Sequence, residues 1–332
     1  MFNVRRREFI AMLGGAAAAR PMSARAQQPE RVRRIGVLMN NAEDDPESKA
    51  QLVGFRQGLQ QFGWSEDRNV RIYARFAADR PDQYQVLAKK LVALQPDAIF
   101  AYTTPITAAL QRESRTIPIV FAQVSDPVGS GLVASIARPG GNLTGLLLYE
   151  KGITGKWAAM LKEIAPHLKR VALLANPKTT PYDYFVRSAE TAAPSLAITL
   201  VPTPVENAAD IERVLAAFAG APKGGLLVLP SGTTTLHRDL VIALAARYRL
   251  PAVYPFRFYV KAGGLVSYST DLVDQSRQAA SYVDRILRGA NPTELPVQAP
   301  LRDVTTVNLK TAKALGLTLP QSLLLRADEV IE

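Results

Sequence analysis

The run Arg33-Arg34-Ile35-Gly36-Val37-Leu38-Met39-Asn40 returns as Lys169-Arg170-Val171-Ala172-Leu173-Leu174-Ala175-Asn176, 136 residues later. Two further echoes follow. Ala98-Ile99-Phe100-Ala101-Tyr102-Thr103-Thr104 matches Leu226-Leu227-Val228-Leu229-Pro230-Ser231-Gly232-Thr233, and Thr116-Ile117-Pro118-Ile119-Val120-Phe121 matches Arg249-Leu250-Pro251-Ala252-Val253-Tyr254. Each is a short apolar run ending in small polar residues, the pattern of a parallel strand buried on both faces. A chain that repeats this scheme builds two similar lobes, and a cleft between lobes is where a ligand sits.

Between the apolar runs the periodicity turns helical. Leu52, Phe55, Leu59 and Phe62 share one face, as do Tyr84, Leu87, Leu91 and Leu94 after Pro81. In the second half, helices are expected over 155–165, 182–192, 208–219 and 235–248, with strands at 171–175, 197–201, 226–229 and 252–254. This alternation implies an α/β fold of two doubly wound, Rossmann-like lobes with helices on both sheet faces. The lobes are expected at 32–146 plus 263–290 and at 147–262 plus 291–332. Crossings between them are expected near 145–149, near 254–263 and beyond 291.

The 332 residues carry a net charge of +11, yet only 7% are aromatic. Residues 1–26 hold five arginines against one glutamate, and the remaining charge is mixed in sign without long like-charged blocks. No nucleic-acid partner is expected. The absence of cysteine excludes disulfides, thiolate metal sites and cysteine nucleophiles. His167 and His237 are the only histidines, so neither a metal site nor a cofactor is expected.

Arg5-Arg6-Arg7-Glu8-Phe9-Ile10 precedes the apolar run 11–19, and Ala24-Arg25-Ala26 supplies an A-x-A cleavage pattern. This is the pattern of a signal peptide of the twin-arginine type, cleaved after Ala26, and it predicts a periplasmic protein.

In open α/β sheets ligands lie beyond the carboxyl ends of strands. Those ends carry Asn40, Thr103, Thr104, Ser125 and Asp126 in the first lobe, Asn176 and Ser231 in the second, and Asp271 after the strand at 265–269. Thr103 and Thr104 beside the free amides of a following helix suit a carboxylate. Asp126 or Asp271 suits an ammonium group. Every one of these residue types also caps helices, which is the rival assignment at each position. Tyr102, Tyr149, Tyr182 and Phe256 are candidates for apolar cleft walls or for core packing.

An enzyme is not expected. Gly129-Ser130-Gly131-Leu132-Val133-Ala134 matches G-x-G-x-x-A, but it lies late in the lobe behind Asp126-Pro127 and lacks the acid that a dinucleotide site carries about twenty residues on. Gly155-Lys156 lacks the rest of a phosphate loop.

The chain also resembles a known family. Asp126-Pro127-Val128, Gly131-Leu132-Val133 and Pro139-Gly140-Gly141-Asn142-Leu143-Thr144-Gly145 carry the likeness, continued by Gly263-Gly264-Leu265-Val266-Ser267-Tyr268, Tyr282-Val283-Asp284-Arg285-Ile286-Leu287-Arg288-Gly289 and Asn308-Leu309-Lys310-Thr311-Ala312-Lys313-Ala314-Leu315-Gly316-Leu317. These motifs are similar to the ABC transporter substrate-binding family, which includes binding proteins for tryptophan and other aromatic amino acids. The resemblance implies a type I periplasmic-binding-protein fold with a three-stranded hinge, a small amino-acid or carboxylate ligand gripped by lobe closure, and delivery to an ABC permease in the inner membrane. Where the family has Ser-Tyr-Gly this chain has Ser267-Tyr268-Ser269, a change expected to re-aim the pocket near Asp271. A periplasmic sensor passing its signal to a membrane receptor is the alternative with the same fold.

Overall fold

Strand β1 (Arg33–Met39) alternates its side chains between two apolar layers, and that placement organises the first lobe. Ile35, Val37 and Met39 point into one layer and Leu38 into the other. The computed structural model describes residues 31–332, so the expected export segment lies outside the described residues. With β2 (Val70–Phe76), β3 (Ala98–Tyr102), β4 (Ile119–Val124) and β5 (Leu143–Leu147), β1 forms an all-parallel sheet in the order β2-β1-β3-β4-β5. Helices α1 (Pro46–Gln61), α2 (Pro81–Val92) and α3 (Thr104–Glu113) connect these strands. Helix α1 begins where Pro46 presets the backbone and the Asp45 carboxylate accepts from the Glu47 and Ser48 amides, both at 3.0 Å.

The second sheet has seven strands, β6 (Arg170–Ala175), β7 (Thr199–Pro204), β8 (Gly224–Val228), β9 (Ala252–Tyr254), β10 (Val266–Thr270), β11 (Asp303–Asn308) and β12 (Glu329–Ile331). Their order is β12-β11-β10-β9-β8-β6-β7, with β10 and β11 antiparallel and every other pair parallel. Its helices are α4 (Ile153–Ile164), α5 (Tyr182–Leu196), α6 (Ala208–Ala219), α7 (Gly232–Leu236), α8 (Arg238–Arg247) and α9 (Arg257–Lys261). One continuous apolar core runs beneath them, with Trp157, Phe185, Val228 and Val253 fully buried.

Helix α10 (Leu272–Leu287) returns to the first lobe and lies against α1. The two approach closely because Gly54 and Gly58 have no side chain there. A Cβ at Gly58 lies 2.6 Å from the Arg277 carbonyl, and one at Gly54 lies 2.8 Å from that of Val273. Helices α11 (Leu309–Ala314) and α12 (Gln321–Arg326) complete the second lobe.

The fold is the expected two-lobed α/β architecture, with differences in where the chain crosses. No crossing occurs at 254–263. That segment contains α9, a short connection between β9 and β10, which are parallel neighbours of one sheet. Parallel neighbours need a crossover connection, which α9 supplies within the same lobe. The segment expected to belong wholly to the first lobe, 263–290, is therefore divided, with β10 in the second sheet and α10 in the first lobe. The chain crosses between Leu147 and Ile153, at Asp271, and between Gln298 and Asp303. Residues 295–297 remain with the first lobe, where Leu295 and Val297 are buried in its two layers. Thr270 ties the crossings together, its hydroxyl donating to the Leu148 carbonyl at 2.6 Å and lying 3.3 Å from Asp303 Oδ1. The helix expected over 235–248 is broken at His237 into α7 and α8.

Candidate functional site

The carboxyl ends of β1, β3 and β4 face the start of α7 and the α9 region across a narrow cleft. From the first lobe it is lined by Asn40, Asn41, Gln51, Thr103, Thr104, Gln123 and Ser125. Thr179, Ser231, Gly232, Thr235, Phe256 and Phe258 come from the second, and Leu148 and Leu272 from the crossings. Among the described residues, no side chain lining the cleft is charged. The first lobe presents amides and hydroxyls, and the second adds hydroxyls together with the Phe256 and Phe258 rings, stacked 5.3 Å apart.

Thr103 sits between the end of β3 and the start of α3 with φ 67° and ψ 156°, a sparsely populated conformation for a β-branched residue. Its side chain does not cap α3, and its buried hydroxyl has no protein partner. Pro105 removes one of the amides that a helix start leaves over, and the Thr103 amide donates to the Ala122 carbonyl at 3.0 Å, which leaves those of Thr104 and Ile106 without an intrahelical partner. A free hydroxyl beside unpaired amides is an arrangement that holds an anionic oxygen.

Gln123, next to the end of β4, also has a left-handed backbone, with φ 59°. Its amide nitrogen donates to Gln275 Oε1 at 3.1 Å, and Gln275 in turn donates to the Leu147 carbonyl at 2.7 Å. Its side chain donates to Gln51 Oε1 at 2.8 Å. The cleft floor is thus a pair of fixed amides.

Asn40 is held at both ends. Tyr84 donates its hydroxyl to Asn40 Oδ1 at 2.6 Å, and Asn40 Nδ2 donates to Asp79 Oδ1. Burial, together with the nearby Asp45 carboxylate, pushes the Asp79 carboxyl up to about 7, partly opposed by the Asn40 hydrogen bond and by Arg238. Asp45 also pairs with Arg238 of the second lobe at 3.7 Å, an ion pair that bridges the two lobes.

Of the residues singled out in the sequence, Asn40, Thr103, Thr104, Ser125 and Ser231 line the cleft. Asp126, Asn176 and Asp271 do not. Asp126 accepts from the Gly129 amide at 2.8 Å, closing the turn behind β4. Asp271 caps α10 through the Val273 and Asp274 amides and pairs with Arg257 at 3.2 Å. Asn176 accepts from the Lys178 amide and donates to Thr233 Oγ1, both at 2.9 Å. For these three, local capping takes the side chain. Among the expected aromatic walls only Phe256 reaches the cleft. Tyr102, Tyr149 and Tyr182 are core residues whose hydroxyls bond Ser276, the Pro255 carbonyl and the Leu173 carbonyl. Ser269 lies within the second sheet opposite Val304, away from the lining.

Gln51, Gln123, Thr179, Thr235 and Phe258 were not singled out. Gln51 carried a legible signal, being a polar residue beside Leu52 on the apolar face of α1. Gln123 carried none, because nothing in its neighbours announces a left-handed backbone.

A family model described as ABC transporter substrate binding protein matches residues 34–331. A tyrosine-binding protein of Clostridioides difficile is 24% identical over 265 residues, covering 80% of this chain and 76% of that protein. Among solved structures, a conserved domain protein from Vibrio cholerae superimposes with a TM-score of 0.84 at 28% identity, over 90% of this chain and 100% of that one. A Streptococcus domain in complex with L-tryptophan also gives 0.84, at 24% identity over 90% and 99% of the two chains.

Proposed function

The chain belongs to the ABC transporter substrate-binding protein family, a family of solute-binding proteins and not of enzymes, and we propose that it is the periplasmic solute receptor of an importer. In this reading the mature protein captures a small carboxylate or amino acid with a flat apolar body, the lobes close on it, and the complex docks on a permease in the inner membrane. The observation that carries the reading is the Thr103 hydroxyl, buried and unpartnered beside the free amides of α3 in a cleft without side-chain charge. Thr103 and Thr104 receive the ligand carboxylate. The Gln51, Gln123 and Asn40 amides meet its polar groups, with Ser125 and Ser231 closing from either lobe. Phe256 and Phe258 cover the apolar body.

The relatives support an aromatic ligand. One is named for tyrosine and the Streptococcus structure contains L-tryptophan. A thermal-shift and calorimetric screen of aromatic amino acids and aromatic acids tests the proposal. A ligand at a hundred times its Kd stabilises the folded protein by about 2.7 kcal/mol. The absence of any stabilising compound in that class would remove the ligand assignment.

A further inference from the structure

Asp79 lies on the loop between β2 and α2 and is not part of the cleft lining, yet it holds a residue that is. Its backbone is left-handed, with φ 54°, and its amide donates to the Asn40 carbonyl at 2.7 Å. Its carboxylate accepts from the Asn40 side chain, whose other end is fixed by Tyr84. On its far side stands the second lobe. A Cβ on Gly232, at the start of α7, comes within 3.0 Å of Asp79 Oδ1 and 3.4 Å of Asn40 Nδ2. The Asn40–Asp79 pair is thus where the lobes meet, and the second lobe covers part of the half-buried carboxylate.

The groups around it offset that burial only in part. Asp45, from its own lobe, carries like charge. Arg238, from the second lobe, is engaged by Asp45 at 3.7 Å and lies over the Phe258 ring at 5.8 Å. The remaining titratable neighbours are the phenols of Tyr84 on α2 and Tyr259 on α9, both pushed above their ordinary range by burial.

We propose that Asp79 is a positioning residue for ligand capture whose carboxylate takes up one proton from solvent as the lobes close. No other bond is made or broken, and opening returns the proton. The proposal rests on the cleft being the ligand site and on closure about the crossings. With the lobes apart, the face of Asp79 toward Gly232 is open to water, and its carboxyl titrates lower than in the closed form. With them together, its carboxyl titrates at about 7. Closure therefore gains up to about tenfold for each pH unit below 7, until the carboxylate of the open form also protonates.

The chain has no cysteine, so two introduced cysteines at the exposed positions Val53 and Leu236, one on each lobe, accept spin labels without background. The interlobe distance distribution is measured at pH 5.5 and 8, with and without L-tryptophan. The closed-to-open ratio is expected to rise as pH falls, and Asp79→Asn, which never ionises, is expected to hold it at the low-pH value throughout. A ratio independent of pH in the parent chain, or the same pH dependence in Asp79→Asn, overturns the proposal, and the parent profile decides even if the variant folds poorly. If the pH response depends on Asp79 but L-tryptophan moves nothing, the proton coupling stands and the ligand assignment fails.

Discussion

Gln123 donates its side-chain amide to Gln51 Oε1 at 2.8 Å from a backbone held at φ 59°, fixing the end of β4 against the buried face of α1. A non-glycine residue in the left-handed region costs about 1–2 kcal/mol, so the position is maintained against a local preference. Gln123→Gly removes both the strain and the amide. The variant is expected to melt at or above the parent temperature while binding ligand about tenfold more weakly, as read by calorimetry. Lower stability with unchanged affinity would assign Gln123 to the scaffold instead of the cleft.

Thr103→Val keeps the β-branched shape and deletes only the hydroxyl that has no protein partner. A buried hydroxyl without a partner costs about 1–3 kcal/mol. The free protein is therefore expected to hold its stability or gain about 1 kcal/mol in denaturant unfolding, and carboxylate ligands to lose at least about tenfold in affinity. Ligands whose carboxylate is converted to an ester should bind parent and variant alike.

Gly232→Ala places a methyl group 3.0 Å from Asp79 Oδ1 on the opposing lobe. Each lobe can still fold around it, since the contact exists only between lobes. The expected outcome is an unchanged melting temperature without ligand and a reduced ligand-induced shift. Equal shifts in parent and variant would show that the lobes do not approach there in the complex.

Asp328 accepts from the Thr305 amide at 2.9 Å and from Arg302 at 2.6 Å, and these bonds, led by the backbone amide, hold its carboxyl below the ordinary range. A depressed folded value stabilises the protein above the unfolded pKa, and that contribution disappears as pH falls through the folded value. Asp328→Asn is expected to be less stable than the parent at pH 7, with the gap narrowing below pH 4. Denaturant midpoints across that range check the sign.

Much of the fold was legible because buried parallel strands write their environment into a few consecutive residues. The runs at 35–39, 98–102 and 171–175 are apolar without interruption, and each became a central strand. The crossing at Asp271 was misplaced because a five-residue helix such as α9 has too short a period to distinguish from a loop. The break at His237 had no proline or glycine to mark it. At the cleft, position after a strand selects Asn40, Thr103, Thr104, Ser125 and Ser231, which line it, and equally Asp126, Asn176 and Asp271, which do not. Sequence position does not reveal whether a carboxylate turns to its own backbone or toward a ligand.

The repeated strand pattern alone determined that this chain forms two α/β lobes, because burial on both sheet faces demands uninterrupted apolar runs whatever lies far along the chain. Tertiary structure alone decided that the cleft lining is uncharged, that Gln51 meets Gln123, and that Asp79 faces Gly232. Those pairings join residues 72 and 153 positions apart in the chain, and only the packing of one lobe, or of the two together, brings them side by side.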